Sequence, residues 1–480
     1  MGLAKVKYKG FIAPLIIGLL IWFTAPVRPA GVSVAAWHMM AIFIATIAAC
    51  ITQPLPIAAV TLIGFTVMVL TKLVPMDDAL TAFSNSSSWL IAMAFMLARG
   101  IIKTGLGHRI ALYLIKAFGK KTLGLAYAVG GIDLITAPAT PSNTARAGGI
   151  VYPLVESLAK TFGSEPNNDS RKKIGAFLTF SEFHSNIITS AMFMTALAPN
   201  LVIVALAKTM KIHISWLGWF TASVVPCLLL FILVPFVIYK MYPPEIKETP
   251  NAREWADKSL REMGPMKVSE KVMAGVFILT IILWMMSNTL GIEASFVAFL
   301  AISLLLIFGV LTTKDLLSET GAWNVLIWLS ILVFMAGELS EMGLIKWLSK
   351  SIASGLHGMN WVAVLAILMV IYFYAHYLFA SATAHVTALY APFVGVAISA
   401  GAPAMLAAML LAFCSAMLLA FCSAIMASTT HYANGPASIL ASSGYVKQGE
   451  WWRMSFVLGL LYLVVFLTVA PLWMKVIGMW

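Results

Sequence analysis

Charge is what this chain is short of. Only 10% of its residues are Asp, Glu, Lys or Arg, while 61% are hydrophobic. A soluble chain carries about 25% charged residues, and so few charges cannot cover a water-facing surface of this size. Cysteine is scarce too. Cys50, Cys227, Cys414 and Cys422 lie in apolar stretches, with no CxxC pair among them. That removes a disulfide framework and a thiolate metal site, and leaves four small buried hydrophobes. No HExxH metal motif or GxSxG nucleophile elbow occurs. The nearest acid–His neighbours, Glu182 and His184, are two residues apart and point to different sides of a helix. The chain is therefore read as no enzyme, with no cofactor and no catalytic or metal-ligating set. A channel is disfavoured because no set of charged residues stands ready to form pore rings.

What is present is a series of apolar runs: Phe11–Trp22, Ile57–Leu70, Trp89–Leu97, Phe277–Met286, Phe296–Val310, Trp361–Phe373 and Phe456–Ala470. With their flanks, several approach the roughly 20 residues that cross a bilayer core. The reading is an all-α polytopic membrane protein with about eleven crossings. They fall near 10–26, 35–52, 55–73, 88–116, 174–208, 215–240, 272–290, 293–310, 322–350, 403–443 and 451–476. Phe11–Trp22 leads into Pro26-Val27-Arg28-Pro29 rather than a small-residue cleavage site, so it reads as a retained first helix. A bacterial inner membrane is the expected location, with the lipid bilayer as the main partner.

Two further apolar stretches, near 123–160 and 360–400, are interrupted by small polar residues, the first also by Pro138 and Pro141. Such an interruption leaves backbone groups unpaired in lipid, unless the segment is a re-entrant hairpin whose tip lies within protein. Charge supports this. Counting the first stretch as re-entrant places Lys116, Lys120, Lys121, Lys160, Arg171–Lys173 and the polar linker 241–271 on the same side as Lys5, Lys7 and Lys9. Lys208, Lys211, Lys346 and Lys350 are the exceptions. The net charge of +12 is thus a matter of topology, and nucleic acid is not an expected partner.

The halves resemble each other. Ala98, Gly105 and Leu106 recur as Ala336, Gly343 and Leu344, 238 residues on. Ser142-Asn143-Thr144-Ala145-Arg146 is echoed 239 residues later by Ser381-Ala382-Thr383-Ala384-His385. Ala198-Pro199-Asn200 and Asn434-Gly435-Pro436 each interrupt an apolar segment. The order crossing, hairpin, broken helix, crossing appears twice and predicts inverted repeats with a midplane binding site. Five regions follow: scaffold helices over 1–87 and a first transport region over 88–210, with its hairpin and a broken helix near 195–201. Scaffold helices and the linker fill 211–321. A second transport region spans 322–450, with its hairpin and a broken helix near 428–437, and a last helix covers 451–480.

A hairpin tip exposes the N–H groups that open its second leg, which attract anions. Two facing tips suit a molecule with two carboxylates. The expected substrate-binding residues are Ser142, Asn143, Thr144, Ser381, Ala382, Thr383, Pro199, Asn200, His431, Asn434, Gly435 and Pro436. Arg146 and His385, at matching places, are the expected charge-compensating pair. His376 reads better as a packing residue.

The run Ala137-Pro138-Ala139-Thr140-Pro141-Ser142-Asn143-Thr144-Ala145-Arg146-Ala147-Gly148-Gly149 resembles the signature of the divalent anion/sodium symporter family. It most resembles the exchanger branch, which includes citrate/succinate and tartrate/succinate antiporters and plastid 2-oxoglutarate/malate translocators. Ala375–Ser381, Ala384-His385, Tyr432–Pro436 and Gly444-Tyr445-Val446 extend the likeness over nearly the whole chain. The resemblance implies a homodimer whose transport domains move elevator-fashion against a scaffold, carrying di- or tricarboxylates. Ala382 stands where sodium-coupled members carry Asn and offers no side-chain oxygen. That tilts the expectation from sodium symport, the alternative, towards sodium-free antiport.

Overall fold

The computed structural model describes residues 6–344, 347, 351, 359–375, 382–412 and 435–479. Among them the chain is helical, with only a single isolated bridge between Lys121 and Glu248. The first half comprises α1 (Ile12–Phe23), α2 (Val34–Thr52), α3 (Ile57–Leu70), α4 (Met76–Leu80), α5 (Ser86–Thr104), α6 (Leu106–Phe118), α7 (Thr122–Thr136), α8 (Asn143–Arg146), α9 (Tyr152–Thr161), α10 (Gly175–Met192) and α11 (Ala198–Thr209). Then come α12 (Trp216–Met241), the linker helix α13 (Asn251–Met263), α14 (Val268–Leu290), α15 (Ala294–Ile307), α16 (Thr313–Ser318) and α17 (Thr320–Glu341). The second half closes with α18 (Trp361–Ala375), α19 (Ala382–Ser399), α20 (Gly435–Ser442) and α21 (Gln448–Val476).

Lipid explains the preference for helix, which pairs every backbone group within its own segment. Six helices among the described residues are long and apolar enough to span a bilayer, and the bent pair Met76–Ser84 and Ser86–Thr104 makes a seventh. Other expected crossings fall on shorter apolar helices such as α3, α11 and α15. The packing stripe is visible on α14. Met273, Phe277, Thr280 and Trp284 are buried, at helical spacing. Ile278, Ile282 and Met285 on the same helix are exposed, giving lipid an apolar face.

The first interrupted segment enters and leaves at one face. At its start, the Thr122 amide donates to the Lys247 carbonyl at 3.0 Å, and the Thr249 amide to the Lys120 carbonyl at 2.9 Å. After its end, the amides of Glu245 and Ile246 donate to the carbonyls of Lys172 and Lys173, both at 3.1 Å. One stretch of linker, 245–249, thus binds both ends. Thr122–Ala139 is long and apolar enough to cross a membrane, yet these bonds bring both ends of the interrupted segment to the same stretch of linker. In the second interrupted segment α18 and α19 lie side by side, and a Cβ built on Gly401 would come within 4.0 Å of the Trp361 Cβ.

The linker does more than join halves. Ala252 and Ala256, one turn apart on α13, are buried against α6. Lys116 pairs with Asp257 at 2.5 Å, and Arg109 pairs with Glu270 at 2.5 Å in a buried contact. The sequence echo also has a backbone counterpart. Gly105 ends α5 at φ +77°, and Gly343 follows α17 at φ +79°. A left-handed turn at the same place in each half favours glycine there.

Candidate functional site

The site is built around the tip of the first hairpin. α7 ends at Thr136, a 3₁₀ turn takes Ala137–Ala139, and Thr140 is extended. Pro138 and Pro141 explain the ending, because proline gives the ladder no N–H donor. Ser142 then caps α8, its Oγ accepting from the Ala145 amide at 3.1 Å. Beyond α8 the backbone widens into a π-turn over Ala147–Val151 before α9.

Arg146 lies just past the tip and is sealed from solvent. Its Nε meets Asp133 Oδ1 at 3.0 Å, and its two terminal nitrogens donate to the carbonyls of Thr140 and Ala196 and to Ser190 Oγ at 2.5–2.6 Å. The guanidinium therefore ties the second leg to the first, and both to the neighbouring broken helix. Its charge is matched by Asp133, a residue the sequence reading passed over. Asp133 also accepts from Asn186 Nδ2 at 2.9 Å and from the Thr189 hydroxyl. His385 holds the corresponding place in the second hairpin. It is buried, and its Nε2 lies 3.0 Å from the Tyr372 carbonyl on the other leg. Since a carbonyl only accepts, that nitrogen carries the proton.

The first broken helix is α10–α11. Its break spans Phe193–Leu197, with Phe193 and Leu197 extended around a 3₁₀ turn. A helix end at membrane depth must find partners for its last carbonyls, and here they can be traced. Asn200 Nδ2 donates to the carbonyls of Ser190 and Phe193 at 2.8 and 3.1 Å. Trp219 Nε1 donates to the Ala191 carbonyl at 3.0 Å, and Ser223 to that of Met192 at 2.7 Å. The Ala196 carbonyl takes Arg146 at 2.6 Å. Thr195 donates to the Pro138 carbonyl, locking the break to the tip. Pro199 sits in the first turn of α11, where its missing N–H costs nothing.

The start of α20 closes the other side. A Cβ added to Gly435 would fall 1.8 Å from Thr144 Oγ1, so only a glycine admits Thr144 there. Asn143, buried beside it, accepts at its backbone carbonyl from Asn186 Nδ2 at 3.2 Å. Ser142, Asn143, Thr144 and Arg146 are thus brought together with Asn200 and Pro199 at one flank, and with Gly435 and Pro436 at the other. Thr383 lies in the first turn of α19, which packs along α11. Ser381, His376, His431 and Asn434 lie outside the described residues, as does the side chain of Ala382.

Several polar atoms here have no partner among the described residues: Thr140 Oγ1, Ser185 Oγ, Asn186 Oδ1, Asn200 Oδ1 and both oxygens of Glu182. Asp133, Asn186, Thr189, Ser190, Thr195, Trp219 and Ser223, which hold this site together, escaped the sequence reading. The signal for those on α10 was its polar content: Glu182, Asn186 and Ser190 stand four apart on one face, with Thr189 beside them. On the face opposite the linker, cavities of about 660 and 480 Å³ flank the start of α5 and the end of α11. The larger is edged by Asp78, Glu338 and Glu341, the smaller by Lys208, His213 and Glu293.

Residues 5–480 match the family described as the sodium:sulfate symporter transmembrane region. The chain is 45% identical to the putative malate transporter YflS of Bacillus subtilis, covering 99% of this chain and 98% of that one. It is 42% identical to the chloroplastic dicarboxylate transporter 1 of Spinacia oleracea, covering 98% and 82%. It is 35% identical to the L-tartrate/succinate antiporter of Escherichia coli O157:H7, covering 98% and 99%. In fold it is similar to the Alcanivorax borkumensis YdaH transporter, with a TM-score of 0.58 at 11% identity, covering 83% of this chain and 87% of that one.

Proposed function

This chain belongs to the sodium:sulfate symporter transmembrane-region family, and on that premise we propose that it is a secondary transporter exchanging one dicarboxylate for another. Succinate, fumarate, malate, 2-oxoglutarate, tartrate and the related tricarboxylate citrate form the substrate class. Relatives named for malate, dicarboxylates and tartrate/succinate support it. The observation that carries the reading is the wedge of Ser142, Asn143 and Thr144 between the α10–α11 break and Gly435. It puts a helix N-terminus and an amide beside two discontinuous helices, an arrangement suited to a carboxylate at the midplane. Thr383 at the start of α19 serves the second carboxylate, together with Ser381.

Exchange is favoured over sodium symport on two grounds. Ala382 brings no side-chain oxygen to the second tip, and a hard cation needs oxygen ligands. Arg146 supplies Asp133 with a covalently held counter-ion, so that carboxylate needs no bound cation. The charge-compensating role of Arg146 is thus exerted through Asp133 rather than on the substrate directly. His385 keeps its hairpin legs together through the Nε2–H bond to the Tyr372 carbonyl. The protein works as a homodimer in a bacterial inner membrane, its hairpins and broken helices moving together as an elevator against the scaffold. Sodium-independent counterflow of labelled succinate in proteoliposomes tests the proposal; uptake that requires sodium favours the symport alternative.

A further inference from the structure

α10 carries one group that the exchange reading leaves unused. Glu182 is fully buried, and neither of its carboxylate oxygens has a hydrogen-bond partner among the described residues. It stands one turn before Asn186, whose amide bridges Asp133 and the Asn143 carbonyl. Glu182 therefore looks onto the same side of α10 as the tip. Its own helix and α7 meet closely there: a Cβ on Gly130 would come within 2.8 Å of Ser185 Oγ.

The neighbouring charges give Glu182 no counter-ion. Among the described residues, Asp133, Arg146 and Tyr152 are the ionisable groups that feel its charge. Asp133 repels an ionised Glu182. Arg146 attracts it, but its donors already go to Asp133, Thr140, Ser190 and Ala196. Tyr152 on α9 is neutral at physiological pH. His184, next along α10, turns instead to Tyr462 of α21 at 2.8 Å. α12 brings Cys227, and Tyr239 and Lys240 at its far end; Tyr239 meets Phe177, near the start of α10. Arg171 in the preceding turn is held by Glu450, and α20 has no titratable side chain. An isolated carboxylate costs far more in such a place than a carboxylic acid.

We propose that Glu182 is a proton-binding site that sets the charge of the substrate cavity, so that the protonated chain accepts a dicarboxylate dianion and the ionised chain opposes it. The inference rests on the exchange reading for the identity of the anion, and on burial and geometry for the proton. With Glu182 neutral, Asp133 and Arg146 cancel and nothing repels the dianion. With Glu182 ionised, a negative charge with no matching cation lies beside the site. Binding of a dianion to the ionised chain therefore draws one proton from solution onto a Glu182 oxygen; no bond in the substrate is made or broken.

The test uses the full chain in detergent, with succinate, at a pH where succinate is already a dianion. Above the pH at which Glu182 ionises in the free protein, addition of succinate to the wild type in weak buffer should take up as much as one proton per chain, read by an indicator dye. Above the titration midpoint, succinate affinity should fall about tenfold per pH unit, as one linked proton requires. Glu182→Gln should bind succinate with no uptake and a flat pH profile. Below that pH, infrared spectra of the substrate-free wild type should show a protonated-carboxyl band that Glu182→Gln lacks. This readout needs no substrate, so its presence with no succinate binding would retire the exchange reading and keep the proton site. Equal pH profiles in both proteins, or a wild type without that band, overturn the proposal. Should Glu182→Gln not fold, Glu182→Asp must move the midpoint of proton uptake; an unmoved midpoint overturns it equally.

Discussion

Arg146 and Asp133 meet at 3.0 Å with side-chain exposures of 0% and 1%. This pair joins the two legs of the first hairpin across its tip, and through Ser190 and Ala196 it reaches the broken helix as well. Removing one partner leaves the other as a bare charge, which costs about 3–5 kcal/mol in a buried pair. Asp133→Ala and Arg146→Met should each lower thermal stability in detergent sharply. The double variant should recover part of the loss, with a coupling above about 1 kcal/mol in the cycle. Additive losses would mean that the two side chains act separately.

Asn200 supports the helix break. Its amide covers two carbonyls, of Ser190 and Phe193. Asn200→Leu keeps the volume and removes the donors, and each buried carbonyl left unpaired costs about 1–3 kcal/mol. Counterflow should fall at least tenfold in this variant, with the protein still recovered as a folded species. Unchanged counterflow would show that the break is held by other contacts.

Gly435 is a contact glycine rather than a flexible one. Alanine there would overlap Thr144. Gly435→Ala should abolish transport and reduce stability. Adding Thr144→Ala removes the two closest atoms and should restore part of the stability, measured by the same thermal assay. No recovery in the double variant would place the strain elsewhere.

Much of this was legible in the sequence. The apolar runs announced a helical membrane protein, and Pro138, Pro141 and Ser142 marked the place where α7 gives way to α8. Gly105 and Gly343 marked the repeat because the same left-handed turn recurs there. The rest was not legible because it depends on long-range pairing. Asp133 is one acid in an apolar stretch, and nothing nearby in sequence says that Arg146 will turn back onto it. The linker read as a tether because the burial of Ala252 and the Lys116–Asp257 pair arise only once α6 lies beneath it.

A pH effect outside the membrane follows from Asp315. The hydrogen bond from Lys103, then that from Thr312, holds its carboxyl well below the usual carboxylate range. A depressed value means that the contact stabilises the fold above the unfolded value, about pH 4. That contribution is lost as pH falls through the folded value. Protection of the α16 amides, taken relative to the intrinsic exchange rate at each pH, should therefore fall on acidification below about pH 4 in the wild type, and Lys103→Met should show lower protection already at neutral pH. A wild type whose protection in α16 ignores acid would contradict this.

The central claim is exchange of dicarboxylates through the Ser142–Thr144 tip, and counterflow in proteoliposomes tests it most directly. Vesicles loaded with succinate and given labelled succinate outside should accumulate label equally with and without sodium, and Asn143→Ala should abolish it. The same loaded vesicles should retain their succinate when no substrate is outside. Sodium-dependent accumulation, or efflux without external substrate at the counterflow rate, would contradict the account.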